Sequence, residues 1–174
     1  NITCETAPHY LLLDDTMLQD HGHFKMNPPI RGPRDKKALL EGLLDGTIDM
    51  LAADHAPHSA EEKSKGLGGS AFGVVGLETA FPLLYANLVK PGILSMERLI
   101  ACMHYAPNKR FHINTALAVG KPANLCVWDL SREYSIDPNA FVSLGKATPF
   151  EGFEVSGACV LTIADGRVAW QEEA

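Results

Sequence analysis

The sequence predicts an α/β fold followed by a smaller all-β unit, and three patterns carry this prediction. Residues 48–53 form a short apolar stretch typical of a buried strand. Residues 34–45 place leucines on one face, as in an amphipathic helix that packs on a sheet. Residues 158–170 contain two β-rich runs around Asp165-Gly166, a pair favoured in tight hairpins. The helical period is lost at about residue 118, so we expect the change of architecture there.

The composition is that of a globular chain and argues against two classes of partner. The chain has 174 residues, of which 46% are hydrophobic, enough to bury a core. Its net charge of -6 argues against a nucleic-acid partner held through phosphates. No apolar run approaches the roughly 18 residues of a membrane span, so we expect no membrane partner.

The cysteines and the first residues bear on cellular context. The cysteines lie far apart without a CxxC pair, so neither a disulfide framework nor a cysteine zinc site is expected. Their apolar surroundings favour a reducing compartment, and we therefore expect a cytoplasmic location. The chain opens at Asn1 inside a strand-like run, from which we expect the C-terminal part of a longer protein. A processed natural start is the alternative.

The segments before the central strand alternate between strand, loop and helix. Residues 1–5 predict a strand, and residues 11–15 predict an apolar turn followed by a polar loop. Two consecutive prolines after Asn27 exclude a helix there and hold Asn27 extended. The helix over 34–45 then ends at Asp45-Gly46.

The segments after the central strand begin with a polar, glycine-rich stretch. Residues 59–70 predict a loop, which is either a lid over the neighbouring polar residues or a plain connection. Helices are predicted over 77–89 and from Ser95, a good cap, to Met103. A strand is predicted over 124–128.

The central strand ends on Asp54, His55 and His58, and active sites of parallel α/β folds lie at this end of the strands. A carboxylate there can bind a metal and transfer protons, whereas a turn cap is the alternative reading of Asp54. His58 could donate a hydrogen bond to an anionic substrate or to the 59–70 segment. His55 points away from Asp54 on an extended chain, which favours a structural role.

Several further residues are weaker candidates. The amide of Asn27 could pair with a carboxylate or a cyclic amide. Phe72 and Gly73 follow the polar segment, where glycine lets backbone amides approach a ligand; an ordinary hinge is the alternative. His21-Gly22-His23 has HxH spacing, but it lies in a polar loop, so a surface pair is expected, and His9 is read as structural. These residues indicate a hydrolytic enzyme, and one aspartate cannot complete a zinc site.

Several linked motifs resemble the dihydroorotase family of the amidohydrolase superfamily. Residues 25–31 resemble that family's KMNPPLR. Residues 53–58 resemble its TDHAPH, with Ala53 in place of threonine. Residues 71–79 resemble PFGIxGLET, with alanine in place of the proline, and residues 120–125 resemble the GxxADL entry into its small β domain.

The resemblance implies the C-terminal part of a TIM (β/α)8 barrel over residues 1–117 and a composite β-sandwich segment over residues 118–174. It implies zinc and the reversible interconversion of N-carbamoyl-L-aspartate and (S)-dihydroorotate in pyrimidine synthesis. Asp54 matches the aspartate of strand 8 that binds zinc and acts as general acid/base. Positions that bind the substrate match Asn27, His58, Phe72 and Gly73.

The family's other zinc ligands lie upstream of this chain, so the isolated chain is expected to be inactive. His21 and His23 do not match those ligands, and residues 7–10 resemble a TPHH motif that is not among them. Two alternatives stay open: a sibling hydantoinase or allantoinase, and a non-catalytic dihydroorotase-like subunit that scaffolds aspartate transcarbamoylase. We expect a small-molecule substrate, and either a homodimer or an association with aspartate transcarbamoylase.

Overall fold

The computed structural model describes residues 2–113 and 117–172, in which a helical part built around two parallel strands packs against an antiparallel sheet. Strand β1 (Glu5–Thr6) pairs in parallel with β2 (Met50–Leu51). The predicted central strand is therefore present but short: it ends at Leu51, and Asp54 beyond it adopts a left-handed conformation with φ of 50°. Asn1, the first residue of the predicted opening strand, lies outside the described residues.

The helices of the described part surround these strands. They are α1 (Pro8–Leu12), α2 (Pro33–Asp45), α3 (Ala60–Lys63), α4 (Gly66–Gly69), α5 (Ala80–Leu84), α6 (Met96–Ile100) and α7 (Ala106–Phe111). Two π-helical turns, Tyr85–Val89 and Ala101–Tyr105, extend α5 and α6. Three 3-10 turns lie in the loops: Asp15–Met17, Gly22–Phe24 and Pro138–Ala140. Within this part of the chain, no helix has the length and apolar character needed to cross a membrane.

Two helix predictions are confirmed and one loop prediction is wrong. Helix α2 covers the predicted span and ends at Gly46, whose φ is 91°. Helix α6 follows Ser95, whose hydroxyl accepts a hydrogen bond from the Arg98 amide at 3.1 Å. The 59–70 segment is not a plain loop, because it contains α3 and α4. Its overlooked signal is the S-x-x-E capping box of Ser59 and Glu62.

The antiparallel sheet has the order β3–β4–β5. Its strands are β3 (Leu125–Ser135), β4 (Glu154–Ala164) and β5 (Arg167–Gln171), so β3 is longer than the predicted 124–128. The hairpin prediction is confirmed: Asp165 and Gly166 have φ of 49° and 76°, the two positive values that a type I′ turn requires.

Two apolar clusters hold the helices and the sheet together. The first cluster lies among the helices, includes Leu84 and Leu99, and reaches the sheet through Phe81, whose ring centroid is 4.2 Å from that of Trp128. The second cluster is shared more evenly between helices, loops and sheet. Its buried members are Leu13, Met26, Ile30, Val74, Leu83, Ile136, Phe150 and Val155. Both parts of the molecule therefore contribute to common cores.

Arg98 on α6 fixes the connection between α2 and β2. Its guanidinium donates hydrogen bonds to the carbonyl oxygens of Leu43 at 3.1 Å and Ile48 at 3.0 Å. The first oxygen lies in the last turn of α2, where carbonyls lack helical partners. The second lies just before β2, so this one side chain orients the strand that leads to Asp54.

We expect Arg98→Met to lower the free energy of unfolding of the full-length protein by about 1–3 kcal/mol, because two partly buried carbonyls lose their charged donor. Urea denaturation measures this change. Arg34→Met is the matched control, since Arg34 is exposed on α2. Equal losses in the two variants would contradict the role of Arg98.

Candidate active site

Asp54 lies at the carboxyl end of β2 and is open to solvent. Its side chain is 47% exposed. Aspartate tolerates the left-handed region better than most residues, yet this conformation still costs energy that the surrounding structure must supply. The φ of 50° occurs beyond Leu51, the last residue of β2. The sequence pattern located this residue, but gave no sign of its backbone conformation.

Helix α1 places a buried histidine against Asp54. His9 is 2% exposed, and its Nε2 lies 3.4 Å from Oδ2 of Asp54. The geometry is not that of a hydrogen bond, and this Nε2 has no hydrogen-bond partner in the described part of the chain. Burial lowers the pKa of His9 to about 4, although the Asp54 carboxylate opposes this shift. His9 is therefore neutral at pH 7.

The neighbouring Tyr10 binds the segment that carries Asn27. Its hydroxyl donates a hydrogen bond of 2.9 Å to the carbonyl oxygen of Pro28. Burial, followed by the charge of Asp54, raises the pKa of the Tyr10 hydroxyl, which stays protonated at neutral pH. Asn27 itself is exposed and lies at a bend before a cis peptide bond to Pro28.

His58 lies against the segment containing Phe72. Its Nε2 is 2.8 Å from the Phe72 carbonyl oxygen, and its Nδ1 is 3.6 Å from Oε2 of Glu62. Because a carbonyl oxygen only accepts, Nε2 must carry the hydrogen in this contact. The structure thus brings together two of the predicted substrate residues, and it also finds the contact between His58 and the 59–70 segment that sequence left as the alternative.

Gly73 is explained by close packing within the chain. Its φ is 128°, and a Cβ there would lie 2.5 Å from the Cβ of Ala56. Its amide donates to the carbonyl oxygen of Lys25 at 2.9 Å. That amide is thus already used inside the protein, and the glycine permits a close approach to Ala56. Phe72 is 56% exposed, with the Lys25 ammonium 4.3 Å from its ring centroid.

Hydrogen bonds tie some of the predicted site residues, and neighbours of others, to the segment 25–28. Tyr10 is joined to it through the Pro28 carbonyl, and Gly73 is joined to it through the Lys25 carbonyl. His58 contacts the carbonyl oxygen of Phe72, the residue before Gly73. Sequence reasoning missed His9 and Tyr10 as neighbours of Asp54. Their signal was position, because they directly follow a strand parallel to β2 and so lie at the same sheet edge.

Three further histidines have structural contacts. His55 Nδ1 accepts from the Gly76 amide at 3.1 Å, in line with its predicted structural role. His21 Nδ1 accepts from the His23 amide at 3.3 Å, and their rings meet edge to face. Across residues 2–113 and 117–172, no group of three or more His, Cys, Asp or Glu side chains is arranged to hold a metal.

The amidohydrolase family model matches residues 12–169 of the chain. The chain belongs to the amidohydrolase family. This membership confirms the predicted superfamily and a TIM-barrel-type fold. The amidohydrolase chain is 50% identical over 174 residues to the dihydroorotases of Bacillus cereus strain AH820 and Bacillus anthracis strain A0248. These matches cover 99% of this chain and 41% of each relative.

Solved structures of cyclic amidohydrolases have the same arrangement. The L-hydantoinase of Arthrobacter aurescens superposes with a TM-score of 0.89 at 36% identity, over 99% of this chain and 40% of its own. A D-hydantoinase from a Thermus species gives 0.84 at 27% identity, over 97% and 39%. The amidohydrolase chain thus spans about two fifths of the length of the proteins it matches.

Membership in the amidohydrolase family implies a metal cofactor, and the residues near Asp54 fit part of such a site. The Asp54 carboxylate is exposed and forms no ion pair with a lysine or arginine of the described residues. The Nε2 atom of His9, which has no hydrogen-bond partner among them, faces this carboxylate. A metal ion bound here would therefore find one available ligand among these residues, the Asp54 carboxylate. The other ligands are expected upstream, since metal sites of this type use several donors.

The pKa of His9 leads to a prediction for acid stability. Its folded value of about 4 lies below the ordinary 6.5, so the unfolded chain binds the proton more readily between these pH values. The free energy of unfolding should fall by an amount on the order of 3 kcal/mol as the pH drops through this window. Urea titrations of metal-free full-length protein measure it. His9→Gln should show a shallower fall, whereas the exposed control His112→Gln should follow the wild type.

Proposed function

We propose that the protein is a dihydroorotase, which catalyses the zinc-dependent, reversible hydrolysis of (S)-dihydroorotate to N-carbamoyl-L-aspartate in pyrimidine synthesis. The observation that carries this proposal is the 50% identity to Bacillus dihydroorotases along 99% of the chain. The contacts of Asp54 with His9 and of His58 with the Phe72 carbonyl support it.

Asp54 is the proposed metal ligand and proton carrier. Hydrolysis breaks the bond between the carbonyl carbon and the ring nitrogen, adds water at the carbon and leaves the nitrogen in need of a proton. The exposed Asp54 carboxylate takes the proton that the water loses and passes it to that nitrogen. The neutral His9 beside it adds no competing positive charge. A zinc ion held by Asp54 and upstream ligands would polarise the amide carbonyl and acidify the attacking water.

The remaining residues orient the substrate in this proposal. The exposed amide of Asn27 offers both a donor and an acceptor to the cyclic amide or carboxylate. The Nε2 atom of His58 donates a hydrogen bond to the Phe72 carbonyl oxygen. In this proposal its Nδ1 atom, which lies near Glu62, donates a hydrogen bond to the substrate carboxylate when it is protonated. The backbone at Phe72 and Gly73 forms the neighbouring wall.

A hydantoinase or allantoinase is the second candidate, favoured by the TM-score of 0.89 to an L-hydantoinase at 36% identity. The higher identity to dihydroorotases favours the first candidate. Turnover of dihydroorotate, hydantoin and allantoin by the zinc-loaded full-length protein separates them. Hydrolysis of hydantoin or allantoin without turnover of dihydroorotate would overturn the first proposal.

The wider architecture belongs to the same proposal. Residues 1–117 would form the end of the barrel, and residues 118–174 part of a β-sandwich that upstream strands complete. A cavity of about 740 Å³ along the sheet, lined by Trp128, Phe141 and Trp170 among others, supports an additional layer there. The described cysteines are free, which suits the proposed cytoplasmic location.

Partners of the whole protein are also proposals. A homodimer and an association with aspartate transcarbamoylase are both compatible with a dihydroorotase. A non-catalytic subunit would lack an HxH metal motif in the upstream sequence, so reading that sequence separates a scaffold from an enzyme. The exposed carboxylate of Asp54 supports the enzyme.

Asp54→Ala in the full-length protein should reduce turnover of dihydroorotate to below a few per cent of wild type, because both the proton carrier and a metal ligand are lost. The fold should persist, since the carboxylate makes no buried hydrogen bond. Steady-state kinetics and circular dichroism measure the two effects. Asp35→Ala on the exposed face of α2 is the control. A residual rate above a few per cent would contradict the role of Asp54.

His58→Ala should raise KM for dihydroorotate by about 10–100-fold, the value of a hydrogen bond to a charged group. Zinc content, measured by atomic absorption, should stay at the wild-type level because His58 is not a proposed ligand. The exposed His112→Ala should change neither quantity. Loss of zinc from His58→Ala would show that His58 supports the metal and would contradict its assignment to substrate binding.

A further inference from the structure

Lys63 is a buried cation whose ammonium is hydrogen-bonded to backbone oxygens of the site segments. The residue is 3% exposed, although it lies in a stretch that sequence composition marks as polar. Its ammonium donates to the carbonyl oxygens of Lys25 at 3.0 Å, Ala71 at 2.9 Å and Gly73 at 2.6 Å. A lysine has three N–H donors, so all of them are satisfied here.

These three carbonyls belong to the two segments that carry the proposed substrate residues. Lys25 lies two positions before Asn27, and Ala71 and Gly73 lie on either side of Phe72. Lys63 itself lies at the end of α3, the helix that begins just after His58. The Lys63 ammonium is therefore bonded to both segments. The helix that carries Lys63 adjoins a third segment, which contains His58.

The turn that contains His21 and His23 closes over Lys63. A Cβ on Gly22 would lie 2.0 Å from the Lys63 carbonyl oxygen and 2.5 Å from Oγ of Ser70. No side chain fits in that space, so the glycine between the two histidines is required by packing. This contact accounts for the glycine of the His-Gly-His stretch.

We propose that Lys63 is a positioning residue that holds segments 25–27 and 71–73 in one arrangement, so that Asn27, His58 and Phe72 form a single cradle for a cyclic amide bearing a carboxylate. This rests on the proposed function, because it concerns how the same site binds its substrate. Charge-assisted hydrogen bonds are the stronger kind, and their removal leaves three carbonyl oxygens without their donor.

Lys63 also acts on the orientation of His58. Bonds to the carbonyls on both sides of Phe72 fix the direction of the Phe72 carbonyl between them. That carbonyl accepts from Nε2 of His58 at 2.8 Å and so selects the ring orientation. Loss of the ammonium therefore releases both the cradle wall and the imidazole that the substrate carboxylate would meet.

The test compares Lys63→Met with the exposed Lys65→Met in zinc-loaded full-length protein. Lys63→Met should raise KM for dihydroorotate at least tenfold and change kcat less than threefold, because Asp54 is held by β2 rather than by Lys63. Zinc content should not change. Lys65→Met should match the wild type in all three quantities. An unchanged KM, or a loss of kcat or zinc without a rise in KM, would overturn the proposal.

Amide hydrogen exchange provides a readout that does not depend on activity. The Gly73 amide, bonded to the Lys25 carbonyl, should exchange at least tenfold faster in Lys63→Met and at the wild-type rate in Lys65→Met. If Lys63→Met does not fold, Lys63→Gln replaces it, with a smaller acceleration expected because fewer donors reach the carbonyls. A wild-type protein without dihydroorotase activity would refute the proposed function, whereas unchanged exchange in the folded variant would refute the role of Lys63.

Discussion

The parallel pairing of β1 with β2 determines where the polar groups of the site can lie. Glu5 is paired with Met50 and Thr6 with Leu51, so both chains leave the sheet at the same edge. Helix α1 begins two residues after β1 and brings His9 to that edge. Asp54 arrives there from β2. The contact between a carboxylate and an imidazole 45 positions apart in sequence is thus a consequence of strand direction.

Two buried basic side chains in this region, His9 and Lys63, respond differently to the low dielectric around them. His9 is kept neutral because burial disfavours its protonated form more strongly than the Asp54 carboxylate favours it. Lys63 is supported by carbonyl dipoles, and burial still lowers its pKa, with a smaller contribution from Lys25. Neither group neutralises Asp54, which leaves that carboxylate available to a cation or a proton.

The sequence patterns with a local physical cause predicted the structure well. The leucine face and glycine end of α2, the Asp165-Gly166 hairpin, and the position of Asp54 after a strand are all determined by neighbouring residues. The linked motifs identified the family, which composition and periodicity could not have done. The 59–70 segment was misread because its glycines outweighed a capping box in the prediction.

The features that escaped prediction depend on contacts between distant segments. The burial of Lys63 requires carbonyls from residues 25, 71 and 73, and no local pattern announces that a lysine will be enclosed. The left-handed Asp54 and the orphaned His9 nitrogen are of the same kind. Sequence could name residues with suitable chemistry, but their orientation is set by the packing of the whole domain.

The second apolar cluster gives the antiparallel sheet an influence on a site that it does not itself form. Val74 follows Gly73 directly and packs in the same cluster as Phe150 and Val155. A change of side-chain volume at those two positions would be transmitted to the candidate site through Val74. Substitutions in the sheet can therefore alter the geometry of the candidate site although they lie outside it.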